Sequence, residues 1–187
     1  MESVKVKEEI AILGGGCFWC TEAIFKMLRG VGSVLSGYTG GITKNPTYKE
    51  VNTGSTGYVE SIKIKFNPEE ISYRDLLTVF FGSHDPTTKD SQGNDIGTQY
   101  RSAIFYTNLQ QKETAESFIK ELNLSSGEGQ SIVTEVVPFD IFYPAEKYHD
   151  DYYNKNKEAP YCQLIINPKL KKVQEKFAGF LKNQPKN

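Results

Sequence analysis

Apolar positions recur along the chain at two spacings, and each change of spacing marks an element. Ile10-Ala11-Ile12-Leu13 is an unbroken apolar run, so residues 9–13 are expected to form a short buried strand. Gly14-Gly15-Gly16 follows, and then Ile24, Met27 and Leu28 at helical spacing predict a helix from about Cys17 to Leu28, ended by Arg29-Gly30-Val31-Gly32. Ser33 to Tyr38 reads as a second strand, and Thr39 to Tyr48 as a long loop. Tyr58 to Phe66 alternates with a period of two, which sorts Tyr58, Glu60, Ile62, Ile64 and Phe66 to one face and Val59, Ser61, Lys63 and Lys65 to the other. After the turn Asn67-Pro68-Glu69-Glu70, Ser72 is placed to cap a helix with Leu76, Leu77, Phe80 and Phe81 on one side and Gly82 at its close.

The polar stretch His84 to Tyr100 is a loop of the length that often carries function, and Ser102 to Tyr106 is the next strand. Asn108 is a cap for a helix over Leu109–Leu124 that turns Ala115, Phe118, Ile119 and Leu122 to the core. Beyond the turn Ser125–Gly129, Ser131–Val137 reads as a strand and Pro144 to about Lys155 as a short polar helix bearing His149. Asn156–Pro160 is a polar linker into Tyr161–Ile166, and an amphipathic helix from about Pro168 to Leu181 ends the pattern. Strands mixed with helices in irregular order predict an α+β layered structure with a mixed sheet.

A length of 187 residues suits a single domain, residues 1–187, with 1–8 and 182–187 as flexible tails. The net charge of −1 and the lack of basic runs give no pull towards nucleic acid. Residues 1–9 alternate charge with small apolar side chains, unlike a signal peptide, and no stretch has the ~20 apolar residues of a membrane helix, which points to a cytoplasmic protein with no membrane partner. With three cysteines, such a compartment favours thiol chemistry or burial over a disulfide framework.

Candidate chemistry gathers at Gly14-Gly15-Gly16-Cys17-Phe18-Trp19-Cys20. A thiol where a strand turns into a helix meets unpaired N–H groups and the positive dipole end, so Cys17 is expected to ionise below the usual ~8.5 and to act as a nucleophile, with Cys20 on the same helix face. The same spacing also starts thioredoxin-like redox helices, forms half of a structural zinc site, or marks two buried small hydrophobes. Glu60 is the second candidate: a carboxyl on the apolar face of its strand is poorly hydrated, holds its proton more tightly and becomes a proton donor near neutral pH. His149, among Glu146, Asp150 and Asp151, lacks metal-ligand spacing and is expected on a solvated helix face, and no metal site is expected elsewhere. Neither His149 nor His84 is marked as a base for Cys17, which weakens a Cys-His hydrolase.

Seven blocks, in order, carry a family resemblance: Gly15–Cys20, Ser36–Gly41, Asn45–Tyr48, Gly57–Glu60, His84–Thr88, Gly97–Ser102 and Phe142–His149. Together they resemble the peptide methionine sulfoxide reductase A family over roughly residues 9–168. The resemblance implies a two-layer sandwich with a ferredoxin-like core, no cofactor, and reduction of the S epimer of methionine sulfoxide, free or in proteins, by a monomer. It further implies that Cys17 attacks the sulfoxide sulfur and becomes a sulfenic acid, that Glu60 protonates the sulfoxide oxygen, and that Tyr48 and Tyr100 hydrogen-bond that oxygen. Asp95 would line the site, and Phe18 and Trp19 would hold the substrate methyl group. The chain departs from many members in carrying Cys20 where they have glycine and Asn52 where they have cysteine. By resemblance, Cys162 on a mobile segment is the expected resolving thiol and Cys20 its rival, with thioredoxin reopening the disulfide.

Overall fold

The computed structural model describes residues 8–127 and 129–182. In chain order its elements are β1 (Glu9–Gly15), α1 (Phe18–Lys26), β2 (Val31–Thr39), α2 (Tyr48–Val51), β3 (Val59–Phe66), α3 (Tyr73–Ser83), β4 (Ser91–Gln92), β5 (Asp95–Ile96), β6 (Ser102–Tyr106), α4 (Leu109–Ser125), β7 (Glu135–Pro138), β8 (Phe142–Pro144), α5 (Tyr152–Lys155) and α6 (Asn167–Lys176). Six strands form one mixed sheet in the order β7-β6-β1-β3-β2-β8, while β4 and β5 make a separate two-stranded ribbon. Among the described residues only the β6–β7 pair is parallel. The chain is therefore α+β with a mixed sheet, as the pattern predicts.

The alternation in β3 is realised: Ile62, Ile64 and Phe66 lie in the main core with Leu13, Phe25, Leu28, Leu77, Phe80, Phe118 and Val173. Val59 falls in a second, smaller cluster with Ile12, Ala103 and Phe105. Burial of each such side chain contributes about 1.5–3 kcal/mol. Caps start the helices where expected: Ser72 Oγ accepts from Asp75 N–H at 3.1 Å and Asn108 Oδ1 from Gln111 N–H at 2.9 Å.

Several boundaries differ from the sequence reading, each for a physical reason. Gly14 and Gly15 belong to β1, pairing with Ala103 and Ser102 of β6, so the chain turns only at Gly16, whose φ of +88° suits glycine. Gly82 does not end α3; a Cβ there would lie 2.3 Å from Phe177 Cζ, so the glycine admits the C-terminal segment. The polar helix expected over 144–155 is instead the end of β8, a 3-10 turn at Lys147–His149 and the single turn α5. Tyr161–Ile166 runs as a π-helical turn, Cys162–Ile166, straight into α6. Of the expected tails, residues 1–7 and 183–187 lie outside the described residues, while Lys182 N–H donates to Met27 O at 2.8 Å.

His84, at the end of α3, is structural. Its Nδ1 lies 2.6 Å from Phe80 O, so Nδ1 donates, and Nε2 then accepts from Ser102 Oγ at 2.8 Å. Burial pushes its pKa down to about 4 from 6.5. A depressed histidine contributes stability that is present above the unfolded value and is lost as pH falls through the folded one. Denaturant titrations are therefore expected to lose up to about 3 kcal/mol between pH 6.5 and 4 through this residue, and His84→Asn to lessen that slope. An unchanged slope in the variant would remove His84 from the account.

Candidate functional site

The antiparallel pairing brings the C-terminal ends of β1 and β2 and the N-terminal ends of β3 and β6 to one edge of the sheet, and the candidate residues follow or precede those ends. Cys17 follows β1 and is the N-cap of α1, 6% exposed. Glu60 is the second residue of β3, opposite Tyr38 of β2, and is 2% exposed. Its Oε2 accepts the Phe18 N–H at 3.1 Å, so the free amide at the start of α1 tethers the carboxyl beside the thiol. Tyr100 ends the 3-10 turn Thr98–Tyr100 just before β6. Arg101 fixes that turn by donating to Thr98 O at 3.0 Å and Gly57 O at 3.1 Å.

Tyr48 opens α2, whose capping box is made by Thr47 and Glu50. Its N–H donates to Glu146 Oε1 at 2.7 Å, and Tyr38 Oη donates to Glu146 Oε2 at 2.8 Å. Phe18 is buried between Tyr38, Tyr48 and His149. Trp19 is half-buried, stacked on Tyr152 with centroids 3.6 Å apart at 5°. Asp95, in the β4–β5 ribbon, accepts from Tyr161 Oη at 2.8 Å. The structure thus gathers Cys17, Cys20, Glu60, Tyr48, Tyr100, Asp95, Phe18 and Trp19 in one place.

The electrostatics differ for the two lead residues. Glu60 behaves as its strand position predicts: burial, with Cys17 and Asp95 adding, holds its pKa well above the usual carboxyl value against the single Phe18 N–H. Cys17 does not. Burial pushes its thiol well up rather than down, because the loss of water outweighs one short helix end, and the Cys20 thiol beside it raises it further. Cys20 is lowered instead, chiefly by the hydrogen bond with Cys17, with Lys169 and the Tyr161 hydroxyl helping. The two thiols titrate as a pair. Tyr48 and Tyr100 are raised by burial and by the charge of Glu60, so both keep their protons and can donate.

Cys162, for which the resemblance implies a mobile segment, is wholly buried in its π-helical turn. Burial raises its pKa, and the charge of Cys17 adds to this; both side chains belong to the main core. His149 is also a correction: it is 0% exposed, not on a solvated face. With the 144–155 stretch folded as a strap instead of a helix, its ring is carried inward among Phe18, Trp19 and Tyr48.

Sequence reasoning missed Tyr38, Glu146, Tyr152 and Tyr161. The block Phe142–His149 was visible as part of the resemblance, yet nothing in its local pattern says that it closes over residues some 98 to 108 positions away. Among the described residues no group of three His, Cys, Asp or Glu could hold a metal ion, and no helix is long and apolar enough to cross a membrane.

Comparison with known proteins gives the family. The sequence profile described as Peptide methionine sulfoxide reductase matches residues 9–180. Peptide methionine sulfoxide reductase MsrA of Sulfolobus acidocaldarius is 54% identical over 169 residues, covering 90% of this chain and 95% of that protein. Among solved structures, methionine sulfoxide reductase A of Corynebacterium diphtheriae superposes with a TM-score of 0.76 at 35% identity, over 81% of this chain and 76% of its own. Reduced Mxr1 of Saccharomyces cerevisiae also gives 0.76, at 32% identity, over 86% of this chain and 92% of its own. The chain therefore belongs to the peptide methionine sulfoxide reductase family, and its activity is the reduction of methionine sulfoxide.

Proposed function

We propose that Cys17 reduces the S epimer of methionine sulfoxide, free or in oxidised proteins under repair, with Glu60 as the proton donor. The observation that carries this reading is the buried, tethered carboxyl of Glu60 beside the Cys17 thiol. Cys17 gives its proton to Cys20 in its thiolate form, the form that the lowered pKa of Cys20 favours, and its sulfur attacks the sulfoxide sulfur while Glu60 protonates the oxygen. The Tyr48 and Tyr100 hydroxyls hold that oxygen as charge develops on it. The oxygen ends on Cys17 as a sulfenic acid, and methionine leaves. Phe18 and Trp19 offer the apolar side for the methyl group, so one polar and one apolar arm separate the epimers. Asp95 lines the site and, through Tyr161, supports the thiols.

A second thiol then attacks the Cys17 sulfur, releasing water and forming a disulfide. Cys20, which lies one turn on from Cys17 with its N–H on Cys17 O at 3.1 Å and has the lowered pKa, is supported as the first to do so. Cys162 is the second reading, supported by its place in the same buried core as Cys17 and needing the 162–166 turn to open. Reopening falls to thioredoxin as reductant; Mxr1 has been solved in complex with Trx2. The reading includes a monomeric single catalytic domain in the cytoplasm, where three free thiols are at home. It also includes a two-layer ferredoxin-like core, supported by the run β1-α1-β2-β3-α3-β6 with its strands in the order β6-β1-β3-β2.

The test is a single turnover of pre-reduced protein with each epimer of an N-acetylated methionine sulfoxide, followed by peptide mapping. Methionine from the S epimer alone, with two thiols lost per product, is expected, and the map should show Cys17–Cys20 with Cys162 free. A Cys17–Cys162 linkage would favour the second reading, and thiol loss without methionine would overturn the reaction.

A further inference from the structure

Tyr48 stands on a helix too short to hold itself. α2 spans four residues, well short of the ~12 at which a helix is even marginally stable alone, and its capping box ties it only to its own first turn. The Tyr48 N–H is one of the free amides at that start, and it donates to Glu146 Oε1 at 2.7 Å, 98 residues away. Among the described residues this is the one hydrogen bond from α2 to a partner outside residues 47–54. The other oxygen of the same carboxylate, Oε2, accepts the Tyr38 hydroxyl at 2.8 Å. Tyr38 is buried near the end of β2, paired with Glu60 on one side and Tyr143 on the other. Glu146 thus joins the strand position opposite the proton donor to the short helix that carries Tyr48. Seating the strap does not require this side chain: Ala145 N–H donates to Ser36 O at 3.0 Å, and Asp151 N–H to Glu22 Oε1 at 3.2 Å.

We propose that Glu146 is a positioning residue: its carboxylate bridges Tyr48 and Tyr38 and so holds the Tyr48 hydroxyl in register with Glu60 around the sulfoxide oxygen. The inference rests on the functional reading given above for Tyr48. A donor stabilises charge on that oxygen only if it is already in place when the charge develops, and a misplacement of about 1 Å costs on the order of 10²-fold in rate. The Tyr48 ring lies nearly parallel to Phe18, with centroids 6.4 Å apart at 17°, a contact that sets its plane and leaves it free to slide; the bridge removes that freedom. Val51, 0% exposed, keeps α2 on the core without the bridge, so what Glu146 adds is alignment and not folding. Burial opposes the charge on Glu146, but the Tyr48 N–H and the Tyr38 hydroxyl together hold its pKa below the usual carboxyl value. The acceptor at neutral pH is therefore the ionised carboxylate, whose hydrogen bonds are about twice as strong as those of a neutral group.

The test is a double-mutant cycle on the single-turnover rate with saturating S sulfoxide. Glu146→Ala is expected to lower that rate about tenfold to a hundredfold, with half-saturation within about threefold of native. In a Tyr48→Phe background, already slowed by loss of the hydroxyl, Glu146→Ala should cost no more than about a further twofold, because the bridge then has nothing to align. Losses that multiply in full would show that Glu146 acts independently of that hydroxyl and would overturn the proposal, as would a native rate in Glu146→Ala. Glu146→Gln is the rescue: its amide oxygen accepts the Tyr48 N–H while its NH2 donates to the Tyr38 hydroxyl oxygen, so most of the rate should return. A glutamine variant as slow as the alanine one would also overturn it. Should Glu146→Ala not fold, Tyr38→Phe takes its place in the cycle, removing the second anchor and keeping the ring, and the same absence of a further loss in Tyr48→Phe is expected. A native rate in Tyr48→Phe alone would fall on the reading of Tyr48. Hydrogen exchange of the Tyr48 amide, slow in the native protein and fast in Glu146→Ala, still decides the bridge, and equal exchange in the two would refute it.

Discussion

Cys17→Ser is expected to abolish methionine formation, a loss on the order of 10⁴-fold or more in the single-turnover rate, with the fold intact. The reason lies in where the oxygen goes. A sulfur nucleophile accepts it as a sulfenic acid, whereas a serine oxygen would have to form an O–O bond. The exchange is otherwise mild: Cys17 is buried at the N-cap of α1, a position that serine favours, so unfolding should shift by no more than about 1 kcal/mol. Cys20→Ser provides the contrast, retaining the first equivalent of methionine and losing the Cys17–Cys20 disulfide. The pair matters because Cys20, not Cys17, has the lowered pKa. If Cys17→Ser still made methionine within tenfold of the native rate, Cys20 would be the nucleophile and the assignment would reverse.

The sheet and its helices were legible because their signals are local. Period-two alternation in β3, helical spacing in α3 and α4, and caps at Ser72 and Asn108 need no knowledge of distant residues. Glu60 was legible for the same reason, since a carboxyl in phase with Ile62 and Ile64 must share their side of the sheet. The strap Phe142–His149 was not. Its polar surface suits a solvated helix, and its burial of His149 and its grip on Tyr38 and Tyr48 arise only when β8 pairs with β2. Cys17 shows a further limit. Its place at a helix start was read correctly, but its acidity depends on how much water the fold removes, and burial outweighs the helix end.

Glu60→Gln tests the proton donor and is expected to slow the single-turnover rate by about 10²–10⁴-fold. Glutamine keeps the shape and can still accept the Phe18 N–H, so α1 and Cys17 stay in place. What it cannot do is give up a proton as negative charge builds on the sulfoxide oxygen. The pH dependence separates this role from a positional one. In the native protein the rate should fall as pH rises through the raised pKa of Glu60, because the carboxyl must be protonated to act, and that limb should vanish in the variant. The substitution moves stability the opposite way to activity. A carboxyl whose folded pKa lies above its unfolded value weakens the fold once pH exceeds the unfolded value, since ionising it in the buried site is opposed, and the amide has no such penalty. Thermal melts at pH 8 should therefore show Glu60→Gln at least as stable as the native protein. A variant that keeps native single-turnover rates with an unchanged alkaline limb would show that the proton comes from elsewhere, and the Tyr48 and Tyr100 hydroxyls, both held protonated at the same site, would be the donors to test next.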